Sequence, residues 1–106
     1  MQALLRINKT NLDLIKSGIK KTEWRAPSLF NKKILFKKND DGLLDGNKEI
    51  KTLKLVNGYS ASSDFIIIEV LNIRMVKFMN DIEIKNDNFR ALKDQFAIEI
   101  KLGNIL

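Results

Sequence analysis

A chain of 106 residues with neither cysteine nor histidine can form no disulfide, no zinc–thiolate site and no Ser-His-Asp or Cys-His catalytic arrangement. Hydrophobic residues make up 44% and charged residues 30%, the balance of one soluble domain spanning 1–106 with a single core. The net charge of +6 is placed unevenly, with ten Lys or Arg against two acids in residues 1–38 and nine against eleven in residues 39–106.

That segregation points to a basic face that attracts polyanions. Lysine-rich composition alone raises the charge without segregating it. The opening residues lack a long apolar h-region, and no apolar run approaches the ~20 residues of a membrane span. The expectation is a cytoplasmic protein with no membrane partner and no cofactor.

Ala3 to Ile7 reads as a first strand. Thr10 or Asn11 is placed to cap a short helix, with Asp13 in its first turn and Leu12, Ile15 and Ile19 at helical spacing. Gly18 is the stop, because the residue just past a helix end often needs a positive φ. Lys20 to Arg25 reads as a second strand, ended by Ala26-Pro27, since proline lacks a ladder donor. Lys33 to Lys37 reads as a third strand. Asn39-Asp40-Asp41-Gly42 and Asp45-Gly46 are turn signals for a hairpin tip.

Ile50 to Val56 alternates as a fourth strand, and Asn57 to Asp64 is a polar loop. Phe65 to Phe78 is the longest β-rich run, expected to bend or bulge midway. Asn88 to Gln95 is compatible with one or two helical turns, a second short helix. Phe96 to Leu102 closes the chain as a strand, with Phe96, Ile98 and Ile100 on one side and Ala97, Glu99 and Lys101 on the other. The fold class expected is α+β: five to seven strands in a small curled sheet or barrel, since closure removes exposed edges.

The richest stretch for chemistry is Gly18-Ile19-Lys20-Lys21-Thr22-Glu23-Trp24-Arg25. Alternation puts Lys21, Glu23 and Arg25 on one face and Lys20, Thr22 and Trp24 on the other, unless the turn after Gly18 rotates Lys20. Glu23 accepts from a base or amide, and Arg25 grips phosphate or carboxylate through its planar fork. The plainer reading is a Glu–Arg pair tying sheet to helix. Trp24 is expected in the core rather than stacked on a base, and Tyr59 in the serine-rich loop is the better exposed aromatic. Lys32, Lys33, Lys37 and Lys38 are candidate phosphate contacts, or simply a solvated face. Four such contacts give a slope of log affinity against log salt of about −3 to −4. In a catalytic reading Lys20 needs a depressed pKa and Glu23 acts as acid or base, with Glu69 or Glu83 as a second acid.

The order strand, short helix, Gly-x-Lys-x-x-Glu-x-Arg strand resembles the opening of the ASCH domain family, within the PUA-like superfamily. Here it is carried by Ala3 to Ile7, Leu12 to Ser17, and then Gly18, Lys20, Glu23 and Arg25. Ile67 to Val70 and Phe96 to Ile100 are similar to that family's later strands. The resemblance implies a PUA-like fold and an RNA- or nucleotide-like ligand bound by Lys20, Lys21, Glu23, Arg25 and Tyr59. One branch hydrolyses N4-acetylcytidine with a lysine and a threonine of this segment. The position matching that threonine is Glu23 here, and the threonine beside the lysine stands one place later, at Thr22. Two other functions stay open: a hydrolase on RNA or a modified nucleoside using Lys20 and Glu23, and a small phage or mobile-element protein that inhibits a nucleic-acid-handling partner.

Overall fold

The computed structural model describes residues 1–38 and 44–106, with the side chains of Leu44 and Asp45 left aside. It is an α+β structure in which two helices accompany a mixed five-stranded sheet. The elements run β1 (Gln2–Arg6), α1 (Lys9–Lys16), β2 (Thr22–Arg25), α2 (Leu29–Leu35), β3 (Phe36–Lys38), β4 (Leu44–Asn47), β5 (Thr52–Asn57), β6 (Asp64–Lys77), β7 (Ile82–Ile84), β8 (Phe89–Ala91) and β9 (Phe96–Ile105). The main sheet has the order β1-β5-β6-β9-β2. β1 runs parallel to β5 and the other neighbours are antiparallel. β3–β4 and β7–β8 form two small separate ladders.

The sheet is open, with β1 and β2 as its edges, so the expected barrel closure does not occur. β1 and β2 flank the eight-residue α1, and the chain sends them to opposite ends of the strand order. No helix among the described residues is long and apolar enough to cross a membrane.

Leu12 and Ile15 of α1 pack onto Leu53, Leu55, Ile68, Ile98 and Ile100 of the sheet. Each is nearly or wholly removed from water, and burying such a side chain contributes about 1.5–3 kcal/mol. β6 reaches this core with residues of both parities. Its register slips between Ile68 and Val70 and again before Asn72, so Ile66 and Ile68 point inward and then Ile73 does. The bulge expected in this long run is therefore present.

Two expected elements are corrected. Lys33 to Lys37 is not one strand. Ser28 caps α2 by accepting from the Asn31 N–H at 3.1 Å, the helix carries the chain to the wholly buried Leu35, and only at Phe36 does the backbone become extended. Asn88 to Gln95 is not helical either. Asn88 and Asp94 sit at φ +50° and +68°, outside the helical basin, and Phe89 pairs with Ile84 in a hairpin. Phe96 is exposed, whereas Ala97 and Glu99 are buried with Ile98 and Ile100, so β9 is covered on both faces. The turn expected at 39–42 lies outside the described residues. Gly46, at φ +83°, sits within β4 beside a register shift.

Candidate functional site

The site begins at the end of α1. Asn8 caps the helix, in place of the expected Thr10 or Asn11, by accepting from the Asn11 N–H at 2.8 Å. Asp13 falls beyond the first turn and pairs with Lys9 instead. At the other end, Gly18 takes φ +79°, its N–H donates to the Ile15 carbonyl, and the Ile19 N–H donates to Leu14. These two bonds define the Schellman turn. The Lys20 N–H also donates to Leu14, so Lys20 belongs to this turn and not to β2, which starts at Thr22. Strand alternation does not govern it, and its side chain turns toward Glu23.

Lys20, Glu23 and Arg25 do converge. Lys20 Nζ lies 3.4 Å from Glu23 Oε1, while Glu23 Oε2 accepts from Arg25 Nη2 at 2.6 Å and Nε at 3.0 Å. Lys20 Nζ also donates to the Asp87 backbone carbonyl. Lys20 and Glu23 are each only 3% exposed, and Arg25 is half-buried. Burial pushes the Lys20 ammonium below its ordinary pKa, outweighing the Glu23 and Asp87 carboxylates that raise it. Both Glu23 oxygens are engaged by cations.

A cleft of about 350 Å³ opens beside this cluster, between Lys16, Gly18, Lys20 and Lys21 on one side and Leu102, Gly103 and Asn104 on the other. Of the five residues expected to bind the ligand, Lys20 and Lys21 line it. Glu23 and Arg25 instead face the core side of edge strand β2, in register with Ile100 and Ile98. Lys21 is exposed on the rim, with no ion pair among the described residues, whereas Lys16 pairs with Asp64 at 2.5 Å. Glu69 meets the rim only through the Asn104 N–H, which it accepts at 2.9 Å, and Glu83 pairs with Arg90 at 3.7 Å on the β7–β8 hairpin. Neither is brought to Glu23 as a second acid by any bond.

Sequence reasoning missed the β7–β8 turn. Asp87 holds Lys20 through its carbonyl and the Lys21 N–H through Oδ1 at 3.2 Å, and Asn88 donates to Asn11 of α1 at 2.9 Å. The available signal was the polar triplet Asn86-Asp87-Asn88 between two apolar runs. Trp24, expected in the core, stacks on Phe89 of that hairpin at 4.3 Å and is half-buried. Tyr59 is 88% exposed and does not line the cleft. Lys32 and Lys33 stand on α2, with Lys37 and Lys38 on β3. All but the half-buried Lys32 are exposed.

No group of three His, Cys, Asp or Glu side chains that could hold a metal gathers among the described residues. No family model, no curated protein and no solved structure matches this chain.

Proposed function

We propose that this chain is a small RNA- or nucleotide-binding domain of the ASCH-like, PUA-like kind, and that its cleft seats the anionic part of the ligand above Lys20. One observation carries the reading: a lysine 3% exposed, fixed by Glu23 and the Asp87 carbonyl, lies at the wall of a cleft whose rim adds Lys21, which has no ion pair among the described residues. A cation ordered before binding costs no side-chain entropy when the ligand arrives, so a phosphate placed there gains its full electrostatic benefit. Asn104 offers an amide at the opposite rim. The lysines of α2 and β3 extend the basic surface that would gather a longer polyanion.

Binding is preferred over hydrolysis because neither oxygen of Glu23 is free to take a proton and Lys20 already has two acceptors. The test is a titration with uridine 5′-monophosphate and with a short RNA at low salt. Wild type is expected to bind both, and Lys21→Glu to weaken each by tenfold or more. Absence of binding, or equal affinity in Lys21→Glu, overturns the reading. RNA cleavage that disappears in Lys20→Met would replace it with the hydrolase.

A further inference from the structure

A second feature lies on the opposite face of the sheet, away from α1. There the register aligns Leu4, Lys54 and Ile67 in one row and Arg6, Val56 and Phe65 in the next. The loop from Gly58 to Ser63 folds beside these rows, and together they enclose a hollow of about 250 Å³. Two aromatic rings stand open on it, Tyr59 at 88% and Phe65 at 47% exposure. Each already has a cation over its face: the Arg6 guanidinium 4.7 Å from the Tyr59 centroid and Lys54 Nζ 4.3 Å from that of Phe65.

The loop is built to hold that tyrosine. The Ser60 N–H donates to Ser63 Oγ at 3.0 Å, and the Ser60 and Ser62 hydroxyls meet at 3.1 Å. Gly58 has φ +124°, and a Cβ there would lie 2.5 Å from Ser63 Oγ, so only glycine admits this closure. The Arg6 Nε is buried and, like Trp24 Nε1 elsewhere, has no acceptor among the described residues, so no hydrogen bond at that atom ties the guanidinium down.

We infer that this face is a second binding site, for single-stranded nucleic acid, in which Tyr59 and Phe65 stack on unpaired bases while Arg6 and Lys54 meet the phosphates. Charge favours this occupant. The two cations facing the hollow have no carboxylate partner among the described residues. The nearby acids are already committed, Asp64 to Lys16 and Glu69 to the Asn104 N–H. An aromatic plane beside a cation suits any base, since every base has a π-face, but it excludes a duplex, whose bases are already stacked. The site stands apart from the Lys20 cleft and does not depend on it.

The test is fluorescence anisotropy with a fluorescein-labelled ten-nucleotide uridine oligomer and a labelled RNA duplex, at low salt. The single strand is expected to bind more tightly than the duplex. Tyr59→Ala should weaken it by about five- to 150-fold, the range for loss of one stacked base. Tyr59→Phe should retain affinity, and Gly58→Ala should lose it by displacing the loop. Thermal unfolding of Tyr59→Ala should match wild type, since the ring is exposed. Equal affinity of Tyr59→Ala and wild type overturns the site, as does equal or tighter duplex binding. Self-association abolished by Tyr59→Ala, without oligomer binding, overturns it in favour of a second copy of the chain. Because Lys21→Glu acts on the cleft and Tyr59→Ala on this face, the two readings fail separately.

Discussion

Glu23 satisfies two cations with its two oxygens, and its removal leaves the half-buried Arg25 without its ion-pair partner and the buried Lys20 with only the Asp87 carboxylate acting on it. Breaking a buried pair in this way costs about 3–5 kcal/mol, far more than an exposed pair contributes. Urea unfolding should therefore show Glu23→Gln destabilised by about that amount. Asp13→Asn, which breaks only the exposed Lys9–Asp13 contact, should change stability by less than about 1 kcal/mol.

Lys20 sets a pH dependence of its own. Its folded pKa lies below the ordinary 10.5, so the folded chain releases the proton before the unfolded chain does. Between the lowered value and 10.5 the unfolded chain binds more protons, and stability attributable to this group rises with pH. The unfolding free energy of wild type relative to Lys20→Met should climb toward pH 10.5. A flat difference would show that the ammonium is not desolvated as its burial implies. That Glu23 and Arg25 share a face was legible from alternation alone. The rotation of Lys20 was legible only as a condition on the turn, because the bonds from Gly18, Ile19 and Lys20 back to α1, outside the strand, decide it.

At the scale of elements, two junctions hold the site. The Schellman turn needs the positive φ of Gly18, and no atom lies within 4 Å of where a Cβ would stand. Gly18→Ala should then cost about 1 kcal/mol from backbone strain alone, measurable as a lowered urea midpoint. The second junction is the Trp24–Phe89 stack, joined by Phe78 at 5.5 Å from Phe89. Phe89→Ala should cost about 2–3 kcal/mol and shift Trp24 emission to the red, because the hairpin that covers the indole loses its anchor. Unchanged emission would mean that the hairpin docks by its Asp87 and Asn88 bonds instead.

These junctions explain where sequence reading stopped. Gly18, the bulged β6 and the strand exit at Pro27 carry local signals, and local physics decides them. Residues 33–37 carry a short apolar run, Ile34 to Phe36, that fits a helix end or a strand equally well, and the Ser28 cap together with Leu35 reaching the core settles it. Residues 88–95 have helical composition, but tertiary pairing with β7 overrides it.

For the whole molecule, the strand order was not legible at all. The parallel β1–β5 pair joins segments some fifty residues apart in sequence and leaves β1 and β2 as open edges instead of a closed seam. Charge segregation was legible, and the fold carries it onto the cleft rim, α2 and β3. The most direct measurement is the affinity for a labelled single-stranded RNA as salt is raised. With four phosphates met by cations the slope of log affinity against log salt should be about −3, and Lys21→Gln should reduce its magnitude by about 0.7. No binding at the lowest salt, or a slope that Lys21→Gln leaves unaltered, would contradict the account.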